Sequence, residues 1–220
     1  MRFLNKLMET IIGNKEVPKV QVERELGPIL DIFIHEIINT MSISNNIFEK
    51  GKYISVGSEF PLPIDTTRRS FNIDYLFFNQ TNKQLYFIEL KTDINSFNIK
   101  QYIRYKKLIK KINDKKSAQH LIVFLKKLNN KKYVNYVEKV MELSIPWEDI
   151  EKATLIYIVP STLKEKQLEN KKKNKNMNKD NMISKELAQI NFKDLPKNLL
   201  ESNFNNEWNI VREHLVKLDS

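Results

Sequence analysis

The chain has 220 residues, 41% of them hydrophobic and 10% aromatic, which suits one sizeable globular domain with at most a small appendage. It contains no cysteine, so disulfide staples and thiolate zinc sites are excluded, and a reducing cytoplasm is the expected compartment. The net charge of +10 points to a polyanionic partner, although a Lys- and Asn-rich chain with only four Gly also reads as compositional bias.

The elements follow in chain order. Residues 1–16 carry Phe3, Leu4, Leu7, Met8, Ile11 and Ile12 at helical spacing, without the continuous apolar run of a signal peptide. A longer helix is expected over 20–45, where Leu26, Ile29, Leu30, Phe33 and Ile37 recur every three or four residues; Pro28 predicts a start near Gly27 or a kink there. Residues 52–60 read as a strand closed by Pro61 and Pro63. Residues 71–79 and 84–91 read as a hairpin about a polar turn at 80–83. A strongly basic helix is expected over 96–112, capped by Asn95 or Ser96. The apolar run LIVFL at 121–125 reads as a fourth strand, 132–143 as a helix and 153–160 as a fifth strand. Residues 164–180, lysine-dense and low in complexity, cannot offset their ordering entropy and read as a loop or linker. A terminal helix is expected around 208–218. No apolar run approaches the ~20 residues of a membrane span. The expected organisation is one domain over 1–163, a loop at 164–182, and a helical extension at 183–220 packing on the domain.

Chemistry concentrates between Phe71 and Tyr105. Asp74 lies mid-strand among apolar residues, and Glu89 and Lys91 end the next strand. Side chains alternate across a strand, so Glu89 and Lys91 share one face, and hairpin pairing brings Asp74 beside Glu89. Two carboxylates and an ammonium are costly to bury at one point without a reason, and a divalent cation supplies one. A second Glu-x-Lys, Glu169-Asn-Lys171, lies in the low-complexity segment with no partner acid and receives no role.

Asp74 followed by Glu89-Leu90-Lys91 resembles the core motif of the PD-(D/E)XK nuclease superfamily, with Ile73 in place of the proline. The resemblance implies a restriction-endonuclease-like α/β core, α-β-β-β-α-β, with a mixed central sheet flanked by helices and C-terminal additions. It implies that Asp74, Glu89 and the Leu90 carbonyl bind Mg²⁺ or Mn²⁺ and that Lys91 positions or activates the attacking water. Gln101 and Tyr105 form a Gln-x-x-x-Tyr element similar to that of recombination-type exonuclease domains, where it contacts substrate or orders the site. Glu23-Arg24-Glu25-Leu26 resembles the first helix of Holliday-junction resolvases, which makes Glu23 an outer acid of the site; Glu25, Glu36 and Glu59 are the alternatives.

Arg69 (with its neighbour Arg68), Arg104 and Lys107 are candidate phosphate contacts. The histidines show no ligand spacing, and no zinc is expected. The expected function is a Mg²⁺-dependent deoxyribonuclease acting on DNA, cytoplasmic, with no membrane partner. Preference for DNA ends or single-stranded regions is part of the expectation, and the oligomeric state, homodimer included, stays open. The rival reading is a non-catalytic nucleic-acid-binding or protein-interaction module on the same fold.

Overall fold

The structure is a computed structural model. It describes residues 2–14, 22–44, 46–64, 70–93, 96–128, 133–160, 188–200 and 202–219. The expected loop at 164–182 lies outside the described residues, as do Asn95, Arg68 and Arg69.

The elements are α1 (Arg2–Gly13), α2 (Val22–Ser44), β1 (Tyr53–Pro63), β2 (Ser70–Asn79), β3 (Gln84–Leu90), α3 (Ile99–Lys115), α4 (Gln119–Lys127), α5 (Val134–Glu142), β4 (Lys152–Val159), β5 (Ala188–Asn191) and α6 (Asn205–Val216). The fold is mixed α/β, a five-stranded mixed sheet in the order β1-β2-β3-β4-β5 flanked by helices. β1, β2 and β3 form an antiparallel meander. Bonds between β3 and β4 advance in the same direction along both strands, from Lys83 with Glu151 to Lys91 with Ile158. That parallel relationship requires a crossover, which α3, α4 and α5 supply. All seven residues of β3 are buried, as befits a central strand covered on both faces.

Two compact units interleave along the chain, one made of Met1–Glu49, Leu90–Phe97 and Tyr157–Ser220, the other of Lys50–Glu89 and Asn98–Ile156. In the first, α2 buries the stripe Leu26, Leu30, Phe33, Ile37 and Met41. Trp208 of α6, fully buried, sets its ring 5.4 Å from that of Phe33, and its indole nitrogen donates to the Pro196 carbonyl at 2.8 Å. Among the described residues α2 is also the helix long and apolar enough to cross a membrane by length and composition, with half of the qualifying window buried inside the fold.

In the second unit, β1 carries a bulge between Ser55 and Gly57. A Cβ at Gly57 would lie 2.5 Å from the Tyr136 hydroxyl, so the close approach of α5 requires glycine there. Rings of Phe60, Tyr136 and Trp147 pack around this point.

Three expectations are corrected. Residues 121–125 are helical, within α4, not a strand. Leu121, Ile122 and Leu125 are buried while Val123 is 42% exposed, a helical pattern that five consecutive apolar residues conceal. Pro61 and Pro63 lie inside β1, where pairing with Asn72 and Ser70 continues through them; β1 is an edge strand, and an edge tolerates a residue without an N–H. α2 runs unbroken through Gly27 and Pro28 from Val22. Its length gives enough neighbouring turns to absorb one missing backbone bond.

Candidate active site

The turn at 80–83 sets the register of the hairpin. β2 and β3 pair from Asn79↔Gln84 to Tyr75↔Ile88, and Asp74 and Glu89 are the next residues along the two strands. Asp74 is half-buried and Glu89 is 1% exposed.

Helix α3 holds the Glu89 carboxylate. The Asn98 side chain caps the helix by accepting from the backbone N–H of Lys100 and Gln101, so the helix starts three residues later than Asn95 would imply. Its first turns then bring Gln101 and Tyr105, four residues apart, to the sheet. Gln101 Nε2 donates to Glu89 Oε1 at 3.0 Å and to the Tyr105 hydroxyl at 2.8 Å, using both amide hydrogens. The Tyr105 oxygen lies 2.6 Å from Glu89 Oε2 and 2.7 Å from the Asn72 carbonyl. A phenol has one hydrogen, so it donates to one of these acceptors at a time. Both carboxylate oxygens are therefore engaged from the same helix. Phe71 packs its ring 5.2 Å from that of Tyr105, with the Arg104 guanidinium carbon 6.0 Å from the Phe71 ring centre.

Gln101 and Tyr105, expected to contact substrate or to order the site, both reach the Glu89 carboxylate. Tyr105 is fully buried and has no face free to stack on a base. Arg104 and Lys107 are exposed on α3, while Arg69 lies outside the described residues.

The other half of the Glu-x-Lys motif belongs to the first unit. Lys91 Nζ, on a side chain 5% exposed, lies 3.2 and 3.3 Å from the two carboxylate oxygens of Glu23, which is 28% exposed. Of the acids proposed to complete the site, Glu23 is thus the one paired with Lys91. Glu25 accepts from Asn14 at 3.4 Å. Glu36 keeps one carboxylate oxygen buried without a hydrogen-bond partner. Glu59 stands across β1 from Asp74 in the register, between the pairs Ser58↔Tyr75 and Phe60↔Ile73, but its φ of +50° takes it out of the strand conformation. It is exposed and accepts from Asn72 at 3.0 Å. Leu90, whose carbonyl the resemblance made a metal ligand, ends β3 with its side chain buried.

Among the described residues no group of three or more His, Cys, Asp or Glu is arranged to hold a metal ion. The Asp74 and Glu89 pair suits Mg²⁺, which takes one or two carboxylates and completes its shell with water and phosphate oxygens.

Reasoning from the sequence missed Asn72, whose carbonyl anchors Tyr105, and His120. Asn72 had a signal: it lies two residues before Asp74 and so shares its face of the strand. His120 had none, because a strand assignment hid its position on a helix. No family model, curated protein or solved structure matches the chain.

Proposed function

We propose that this chain is a metal-dependent nuclease that hydrolyses DNA phosphodiester bonds on a PD-(D/E)XK, restriction-endonuclease-like core. The observation that carries the reading is the buried Glu89 carboxylate, with Gln101 on one oxygen and Tyr105 on the other, at the end of the strand that pairs with the one carrying Asp74. A buried carboxylate with two dedicated donors is costly scaffolding for a surface with no chemistry. The order α2-β1-β2-β3-α3-β4 agrees with α-β-β-β-α-β once α4 and α5 are taken as insertions.

In this reading Asp74, Glu89 and the Leu90 carbonyl hold Mg²⁺ or Mn²⁺, which supplies neutralisation of phosphate charge and a lowered pKa for bound water. Gln101 and Tyr105 are positioning residues that keep Glu89 from rotating. Lys91 brings an ammonium with three donors, and Glu23 orients it. It holds the attacking water, which gives up a proton to solvent as its oxygen bonds to phosphorus, and stabilises charge on the phosphate as the ester oxygen departs. The departing oxygen takes a proton from solvent. The absence of cysteine fits a reducing compartment, and a cytoplasmic site of action is part of the proposal.

The test is cleavage of linear, circular and branched DNA with and without Mg²⁺. Metal-dependent cleavage that Asp74→Asn abolishes is expected. Absence of cleavage on all three substrates, with the protein folded and metal present, overturns it in favour of a binding module.

A further inference from the structure

A second feature of α3 lies about a quarter turn from the face that holds Glu89. Lys100, Arg104, Lys107 and Lys111 recur at i, i+4, i+7 and i+11, a single stripe that runs about 16 Å at the helical rise of ~1.5 Å per residue. The stripe forms one wall of a groove of about 350 Å³. Pro63 and Ile64 at the end of β1, with Ile103 and Leu108, supply its apolar surface, and His120 of α4 lines it as well.

Three observations set this groove apart from an ordinary solvated helix face. Among the described residues Lys100, Lys107 and Lys111 have no acidic partner, whereas Lys110 of the same helix pairs with Asp114 at 2.9 Å. Like charges three and four residues apart destabilise a helix, so the stripe works against the helix that carries it. The imidazole Nε2 of His120 is buried and has no hydrogen-bond partner. Such an atom calls for an acceptor or donor that the chain does not provide.

We propose that this groove is a phosphate-backbone channel for a nucleic-acid strand, with successive phosphates on Lys100, Arg104, Lys107 and Lys111, His120 Nε2 on one phosphate oxygen, and the sugars and bases against Pro63, Ile64 and Ile103. The four cations succeed one another about 4.5–6 Å apart along the helix axis at ~1.5 Å per residue, and their long side chains let each take a successive phosphate of one strand. Apolar walls beside the cations favour an unpaired strand, whose bases turn outward from the backbone. Burial first, and then Lys111 and Lys115, lower the pKa of His120 to about 4, so the ring stays neutral near pH 7 beside those two cations. The channel's identity as a nucleic-acid site leans on the nuclease reading, but its affinity for a polyanion does not.

The experiment measures binding of a labelled 12-nucleotide single strand in EDTA by the full-length chain. The background is Asp74→Asn, so cleavage plays no part. Neutralising the stripe (K100Q, R104Q, K107Q and K111Q together) should weaken binding at least tenfold and lower the salt slope by about 3, since each phosphate contact to a single strand contributes ~0.7. Circular dichroism checks that α3 survives. Histidine resonances should show His120 Nε2 perturbed by the oligonucleotide. Inorganic phosphate or a mononucleotide at equal phosphate concentration should compete poorly. An unchanged salt slope or an unperturbed His120 overturns the channel, as does full competition by free phosphate, which would mark a small-anion pocket. If binding follows the stripe while no substrate is cleaved, the channel stands and the nuclease reading falls; the reverse outcome separates them equally.

Discussion

The Tyr105 hydroxyl lies 2.6 Å from Glu89 Oε2, across 16 residues of sequence, in a position from which solvent is wholly excluded. A short bond to a carboxylate is among the stronger hydrogen bonds in a protein. This one ties the helix after the hairpin to the carboxylate on which the proposed chemistry depends.

Tyr105→Phe removes that bond and keeps the ring packed against Phe71. Stability should fall by about 1.5–3 kcal/mol, the range for a bond to a charged group. Cleavage and metal affinity should fall ~10–100-fold, as for other residues that hold a ligand in place. Denaturation and a Mg²⁺ titration of cleavage measure the two effects. A loss of stability with unchanged metal dependence would make Tyr105 a packing residue only.

Asp74→Asn should leave the fold intact and abolish turnover. Without metal its melting temperature should equal or exceed that of the unaltered protein, because in the proposed site one of two like charges has been removed. The unaltered protein should gain ~2.7 kcal/mol at Mg²⁺ one hundred times above its dissociation constant, and the variant none. Equal stabilisation of both proteins by Mg²⁺ would place the metal elsewhere.

Lys91 and Glu23 should respond unequally. Lys91 is the buried partner and Glu23 the more exposed one, so Glu23→Gln takes a countercharge from a buried ammonium while Lys91→Met leaves a carboxylate that water can reach. Glu23→Gln should destabilise the protein by up to the ~3 kcal/mol of a fully buried pair, and Lys91→Met by much less. Adding Lys91→Met to Glu23→Gln should restore stability. Both single variants should lose turnover while still binding DNA. Additive losses of stability in the double variant would show that the pair does not couple.

His120 makes a prediction about pH. Its pKa is lowered from 6.5 to about 4, so the unfolded chain takes up a proton before the folded one does. Its contribution to stability is intact above pH 6.5 and is lost as pH falls through 4. Comparing urea denaturation at pH 7 and pH 5, the protein should lose more stability on acidification than His120→Gln does. The ring is partly exposed, so solvent screening reduces the effect. Identical pH dependence in the two proteins would count against burial as the cause.

Local interactions made part of this protein legible from its sequence. The 80–83 turn joins strands adjacent in the chain, and the hairpin register from Asn79↔Gln84 to Tyr75↔Ile88 follows, because register propagates from the turn one residue at a time. The stripe of α2 over Leu26, Leu30, Phe33 and Ile37 is likewise a periodicity visible in the residues themselves. Tertiary structure alone decided the rest. LIVFL has no period that separates strand from helix, and only its packing against the core exposes Val123 and buries Leu125. Gln101 and Tyr105 were legible as a pair on one helix face, but what that face meets depends on how α3 crosses the sheet. The partnership of Lys91 with Glu23 spans 68 residues, and no local rule chooses Glu23 over Glu25, Glu36 or Glu59. The groove along Lys100, Arg104, Lys107 and Lys111 exists because the end of β1 and α4 pack beside α3, which composition and spacing do not encode.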